Sequence, residues 1–169
     1  MSQGQVFGRL LSIYQDAELV MTNAEGFERA GASRWFIWMK VIEIIKMHPW
    51  LGVGVETLDI AFQRYFYDDV VNHLGYYLHF DKAHNEYLHI AAVSGIPSLV
   101  AYLAFIGQIL RKAFLSLDKN HLLIPLLCSV TGYLVQAFFN ISTVYSAYVF
   151  WIFLGACLSL AERQIESRY

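Results

Sequence analysis

The sequence predicts an all-α polytopic membrane fold, in which a long, partly helical polar segment precedes three transmembrane helices. Two observations carry that prediction. The 169 residues are 57% apolar, above the roughly 45–50% usual for soluble domains. The 12 Lys/Arg and 14 Asp/Glu are also unevenly spread, with none from Tyr87 to Leu110 and none from Leu122 to Ala161. As helix, at ~1.5 Å per residue, the first gap extends roughly 36 Å and the second roughly 60 Å, against a hydrocarbon core of about 30 Å. One span fits the first gap and two fit the second. The chain therefore divides into a loop region over residues 1–86 and spans over about 87–110, 122–140 and 144–161.

Taken in order, Gly4 to Leu19 reads as a short helix around Arg9, and Thr22 to Ala32, with Gly26 and Gly31, as a loop. An amphipathic helix is expected over about 33–48. Ile37, Trp38, Val41, Ile42, Ile44 and Ile45 fall on one arc of a helical wheel, with Lys40, Glu43 and Lys46 outside it. Ser33 suits the N-cap, and Pro49 excludes His48 from helical geometry and ends the run. Arg34 is the odd residue, because a cation in the first turn opposes the helix macrodipole and here falls inside the apolar arc. Two readings stand: it reaches solvent or pairs with Glu28, or it binds an anion at a membrane-edge cavity. Gly52 and Gly54 then mark a tight turn.

From Phe62 to Phe80 the chain is rich in rings, among them Tyr65, Tyr67, Tyr76 and Tyr77, a density suited to the headgroup region before a span. Asp68 and Asp69 read as solvated loop acids rather than metal ligands. The segment Asp81-Lys-Ala-His-Asn-Glu-Tyr-Leu-His89 gathers ionisable groups where the polar region meets the first span, which makes it the most informative local feature.

Several function classes drop out. A net charge of −2 with no basic run offers no counterion-releasing patch for nucleic acid. Cys128 and Cys157 lie inside proposed spans, without CxxC spacing, and read as small buried apolar residues. His79, His84 and His89 are five apart, whereas the zinc protease pattern needs an i,i+4 pair, so no metal and no cofactor is expected. Basic residues set the orientation: Arg111, Lys112, Lys119, Arg163 and Arg168 fall on one side of the spans, which is expected to be cytoplasmic, leaving residues 1–86 outside. The first 30 residues contain no apolar stretch long enough for a signal-peptide core. A polar segment of this length needs an earlier span to cross, so the chain is expected to be the C-terminal part of a longer multi-span protein.

Four segments resemble one family. Arg34-Trp-Phe-Ile-Trp38, His48-Pro-Trp-Leu-Gly-Val-Gly54, Ala83-His-Asn-Glu-Tyr-Leu88 and Gly95-Ile-Pro-Ser-Leu99 are similar, in motif and in order, to the C-terminal half of the O-antigen ligase and polymerase family. The resemblance implies a GT-C-like membrane glycosyltransferase. Such a protein transfers a glycan from a polyprenyl diphosphate carrier, undecaprenyl diphosphate in the bacterial plasma membrane, to an acceptor hydroxyl without metal or nucleotide sugar. Arg34 matches the family's arginine that grips diphosphate, and His84 its histidine base; these are the expected catalytic residues. Asn85 is expected to orient the local backbone, and Lys82 and Arg64 to add positive charge for substrate.

The chemistry supports those types independently: a leaving diphosphate needs a persistent cation, and Arg offers a planar fork matched to phosphate. A hydroxyl deprotonated near neutral pH calls for His. Departures are also visible. Ser98 stands where many members carry a second glycine and Val93 where many carry an acid, and a further upstream arginine has no counterpart beyond Arg9, which matches a commoner position. The expected activity is therefore that of part of a cell-envelope glycan ligase or polymerase, inactive alone. The alternative is a non-catalytic membrane protein, flippase-like or a scaffold, that binds lipid-linked glycan. The expected partners are the lipid-linked glycan, the acceptor, the bilayer and the missing N-terminal half.

Overall fold

A computed structural model describes residues 34–166. Arg9, Glu28, Ser33, Arg168, the helix expected over Gly4–Leu19 and the loop over Thr22–Ala32 lie outside the described residues. Within them the chain forms six α-helices and one short 3-10 turn, Leu117–Lys119.

Helices α1 (Arg34–Met47) and α2 (Leu58–Leu74) form the first layer. Helix α1 stops one residue short of His48-Pro49, as the clash between a proline ring and the preceding residue requires. Helix α2 closes at Gly75, whose left-handed backbone (φ +83) lets its N–H reach the Val71 carbonyl at 2.8 Å. The first core gathers Phe36, Val41, Ile44, Leu58, Phe62 and Val70 from these helices with Phe80, Ala92 and Val93. Ile44, Leu58 and Phe62 are fully buried, each contributing roughly 1.5–3 kcal/mol by removal from water.

Lys40, which lies outside the apolar arc, is nonetheless largely covered, and the adjacent acids Asp68 and Asp69 are exposed but helical. The Lys40 side chain is only 17% exposed, because its amine reaches Asp69 on α2 at 2.7 Å, Glu43 at 3.3 Å and the Phe66 ring. Burial works against its charge, but the hydrogen bonds to Asp69 and Glu43 outweigh it and raise the amine above its ordinary range. Asp68 and Asp69 lie in helix α2 rather than a loop.

Asp59, in the first turn of α2, ties down the extended chain that follows the helix. Its carboxylate accepts the Phe80 N–H at 3.0 Å and the Tyr77 hydroxyl at 3.3 Å, and meets the His79 ring at 2.7 Å. Burial opposes ionisation, yet the bonds from His79 and Phe80 prevail and hold the carboxyl below the usual aspartate range. A depressed pKa contributes stability above the unfolded value near 3.9 that is lost as pH falls through the folded value. Asp59→Asn is expected to expose the 76–81 segment to proteases at neutral pH, at a cost of about 1–3 kcal/mol. In the parent the same sensitivity should appear only below about pH 4, and limited proteolysis across pH checks both.

The apolar stretch beginning at Tyr87 is not one helix. Helix α3 (Glu86–Ser94) ends at Gly95, and α4 (Ile96–Leu115) begins afresh. The cause is tertiary: the Ile96 N–H is taken by the Pro49 carbonyl at 2.8 Å, and Gly95 adopts φ +86, ψ 164, a region essentially reserved for glycine. Helices α4, α5 (Leu123–Phe139) and α6 (Val144–Glu166) then pack around Ile106, Ile109, Val130, Phe150, Leu154 and Cys157. Lys112 and Glu162 pair at 3.0 Å, so the far ends of α4 and α6 lie side by side.

Two helical stretches, Ile96–Leu115 and Val144–Glu162, are long and apolar enough to cross a membrane, and only 17% and 22% of them is buried within the protein. Leu103, Phe105, Val149 and Ile152 point outward. A helix apolar all round that covers so little of itself is matched to lipid rather than to a water-soluble core. Helix α5 is equally apolar but has 17 residues, about 26 Å against a core of about 30 Å. Cys157 is buried as expected, whereas Cys128 is exposed on α5 because it lies on the outer face of that helix.

Candidate functional site

The site is built where α3 begins, and the glycine turn fixes where that is. Residues 48–54 dock on the α3–α4 junction through three backbone bonds: Val53 N–H to Ala92 O at 2.8 Å, Gly54 N–H to Val93 O at 3.0 Å, and Ile96 N–H to Pro49 O. The approach is so close that a Cβ on Gly52 would collide with the Ala92–Val93 backbone, and one on Gly95 with the Trp50 carbonyl. Three backbone bonds and two side-chain-free contacts therefore hold α3 from its C-terminal end.

Asn85 holds it from the other end. Its buried amide oxygen caps α3 by accepting the Leu88 N–H at 3.0 Å, which satisfies one of the helix's orphan donors. Immediately before it His84 is held in a left-handed conformation (φ +52), which histidine adopts more readily than most residues. The half-buried His84 ring makes no hydrogen bond among the described residues. Lys82 pairs with Glu56 at 2.9 Å, and Glu56 is the other described non-glycine residue with positive φ. The Lys82 amine holds the Glu56 carboxyl below its ordinary range.

Arg34 opens helix α1, exposed, with Nη1 donating to the Phe139 carbonyl at 3.2 Å. That carbonyl belongs to the last turn of α5, where the helix leaves its acceptors unsatisfied and negative. One turn along α1, Trp38 donates its indole N–H to the Ala83 carbonyl at 3.0 Å, and its ring packs edge-on against Phe138 at 5.7 Å. Trp38 thus joins the end of α5, where Arg34 is anchored, to the residue preceding His84. No hydrogen bond links Arg34 and His84 themselves among the described residues.

Beside this junction runs an apolar groove of about 360 Å³, lined by Tyr87, Thr131, Leu134, Val135, Phe138 and Phe139. Phe139, whose carbonyl accepts from Arg34, is one of its lining residues. Arg64 lies elsewhere. Its guanidinium sits over the Tyr65 ring and lines a separate cavity of about 320 Å³ with His48, Gly52, Thr57 and Tyr65. Of the five residues singled out from sequence, Lys82, His84 and Asn85 share one short segment, Arg34 is joined to it through Trp38, and Arg64 is apart.

A family model described as O-antigen ligase matches residues 4–103, more than half of the chain. The chain belongs to the O-antigen ligase family. No curated protein and no solved structure matches it. The matched stretch takes in α1, the glycine turn, α2, α3 and the start of α4, so it covers Trp38, Ala83 and the glycine turn that positions α3. The membrane association of the family agrees with the two long apolar helices.

Two residues lie inside the family-like motifs but receive no role from the sequence. Trp38 shares a helix face with Arg34 at i+4 spacing, which is a visible signal, but its partner Ala83 is distant in sequence. Glu86 closes the polar region in the charge count and so reads as a mere boundary. In the structure it accepts hydrogen bonds from Tyr102 on α4 and Tyr133 on α5.

Proposed function

We propose that this chain forms the catalytic end of a membrane glycan ligase or polymerase. It moves a glycan from a polyprenyl diphosphate carrier in the bacterial plasma membrane to an acceptor hydroxyl, on the outer face. The observation that carries the reading is the position of Arg34: a guanidinium bonded to Phe139, one of the residues that line an apolar groove, and joined through Trp38 to the segment that bears His84. A lipid diphosphate has that shape, an apolar tail ending in a doubly charged head.

In the proposed reaction His84 takes the proton from the acceptor hydroxyl as its oxygen attacks the anomeric carbon. The bond from that carbon to the diphosphate oxygen breaks with its electron pair staying on the diphosphate. Arg34 holds the growing negative charge there; only one of its donors is committed to Phe139, and the fork geometry suits phosphate oxygens. Lys82 and Asn85 support the His84 loop, Lys82 adding positive charge to substrate, while Arg64 is assigned to glycan contacts away from the reacting atoms. A cytoplasmic location for the opposite end is supported by the basic residues Arg111, Lys112, Lys119, Arg163 and Arg168 in the sequence.

The test is substitution in the full-length protein in its own membrane. Arg34→Ala and His84→Ala are each expected to abolish glycan transfer while membrane abundance is unchanged. Normal glycan output from both variants would overturn the proposal.

A further inference from the structure

Glu86 is the half-buried carboxylate of this region, and it is held by helices α4 and α5 at once. The Tyr102 hydroxyl donates to Oε1 at 3.2 Å and the Tyr133 hydroxyl to Oε2 at 3.3 Å. Burial pushes the carboxyl above its ordinary range, with both phenols working in the opposite direction. A phenol has one proton. If Tyr133 gives its proton to Glu86, its oxygen must accept from Ser142, whose hydroxyl lies 2.7 Å away. Ser142 sits in the α5–α6 turn, three residues beyond the Phe139 carbonyl that anchors Arg34. Glu86 itself lies two residues beyond His84, in the first turn of the helix that Asn85 caps.

We propose that Glu86 is a positioning residue: through Tyr133 and Ser142 its carboxylate fixes the start of α3, which His84 closely precedes, relative to the end of α5, which anchors Arg34. This rests on the roles proposed above for Arg34 and His84. Trp38 joins the same two elements from the α1 side through its bond to Ala83 and its packing on Phe138, and the Tyr87 hydroxyl, donating to the Leu134 carbonyl at 2.7 Å, ties α3 to the middle of α5. The carboxylate suits this Glu86–Tyr133 link, because its two oxygens accept two phenol protons at once and its charge strengthens both bonds, whereas an amide keeps only one acceptor and makes both bonds neutral.

The experiment compares kcat and KM for the lipid-linked donor in the purified full-length protein carrying Glu86→Gln, Tyr133→Phe, or both. Glu86→Gln is expected to lower kcat about tenfold, as loss of one hydrogen bond to a charged group implies, with KM within about twofold of the parent. Folded yield should be unchanged. Tyr133→Phe should lose a comparable amount, and the double variant no more than Glu86→Gln alone. Should Glu86→Gln fold poorly, Tyr133→Phe, which removes a single hydroxyl, still decides the matter. Parental kcat in Tyr133→Phe, or a rate that falls only in proportion to folded yield, overturns the proposal. If Arg34→Ala and His84→Ala are inactive while the Glu86 and Tyr133 variants match the parent, only the positioning role falls. If those two alanine variants are active, both readings fall.

Discussion

His84→Ala in the full-length protein is expected to lower glycan transfer by about 10²–10⁴-fold, the range over which a positioned general base contributes. The local structure makes this a strong test. The ring is half-buried and without a hydrogen bond among the described residues, so its loss breaks no partner's bond there. The backbone is the complication, since φ is +52 and alanine tolerates that conformation less readily than histidine. His84→Asn removes the base while retaining a residue type at home in the left-handed region, and it should be as inactive as His84→Ala. Transfer rate per folded molecule is the readout, and parental turnover in His84→Asn would remove His84 from the chemistry.

Gly95→Ala is expected to be the most damaging single methyl in the described chain. Its φ of +86 and ψ of 164 lie in a region that costs an alanine about 1–3 kcal/mol, and the added Cβ collides with the Trp50 carbonyl. Relief would require the 48–54 turn to lift off α3, breaking its three backbone bonds together. Membrane abundance and melting temperature should both fall sharply. Gly107→Ala, on the same helix with open space around it, should be neutral or slightly stabilising, given alanine's advantage in helices of about 1 kcal/mol. Equal stability of the two variants would contradict the docking role of the turn.

Much of this was legible in the chain itself, and what was not has a common cause. The absence of charge from Tyr87 to Leu110 and from Leu122 to Ala161 located the apolar helices, because lipid tolerates few ions. Pro49 located the end of α1, because its ring acts on the adjacent residue. Those are local or compositional effects. The break at Gly95 depends on the Pro49 carbonyl capturing the Ile96 N–H, and the covering of Lys40 depends on Asp69 in another helix. A wheel or a window contains neither partner. The same holds for the site. The residue types of Arg34 and His84 announced their chemistry, while Trp38 and Glu86 acquired meaning only from Ala83, Tyr102 and Tyr133, which folding brings to them.

The central claim is that Arg34 and His84 serve one transition state. The most direct test is a double-mutant cycle on single-turnover transfer from the lipid-linked donor, comparing Arg34→Ala, His84→Asn and the pair. Groups that act as a unit are strongly non-additive, so the double variant is expected to be little worse than the slower single one. Losses that multiply would show two independent contributions and contradict a shared site.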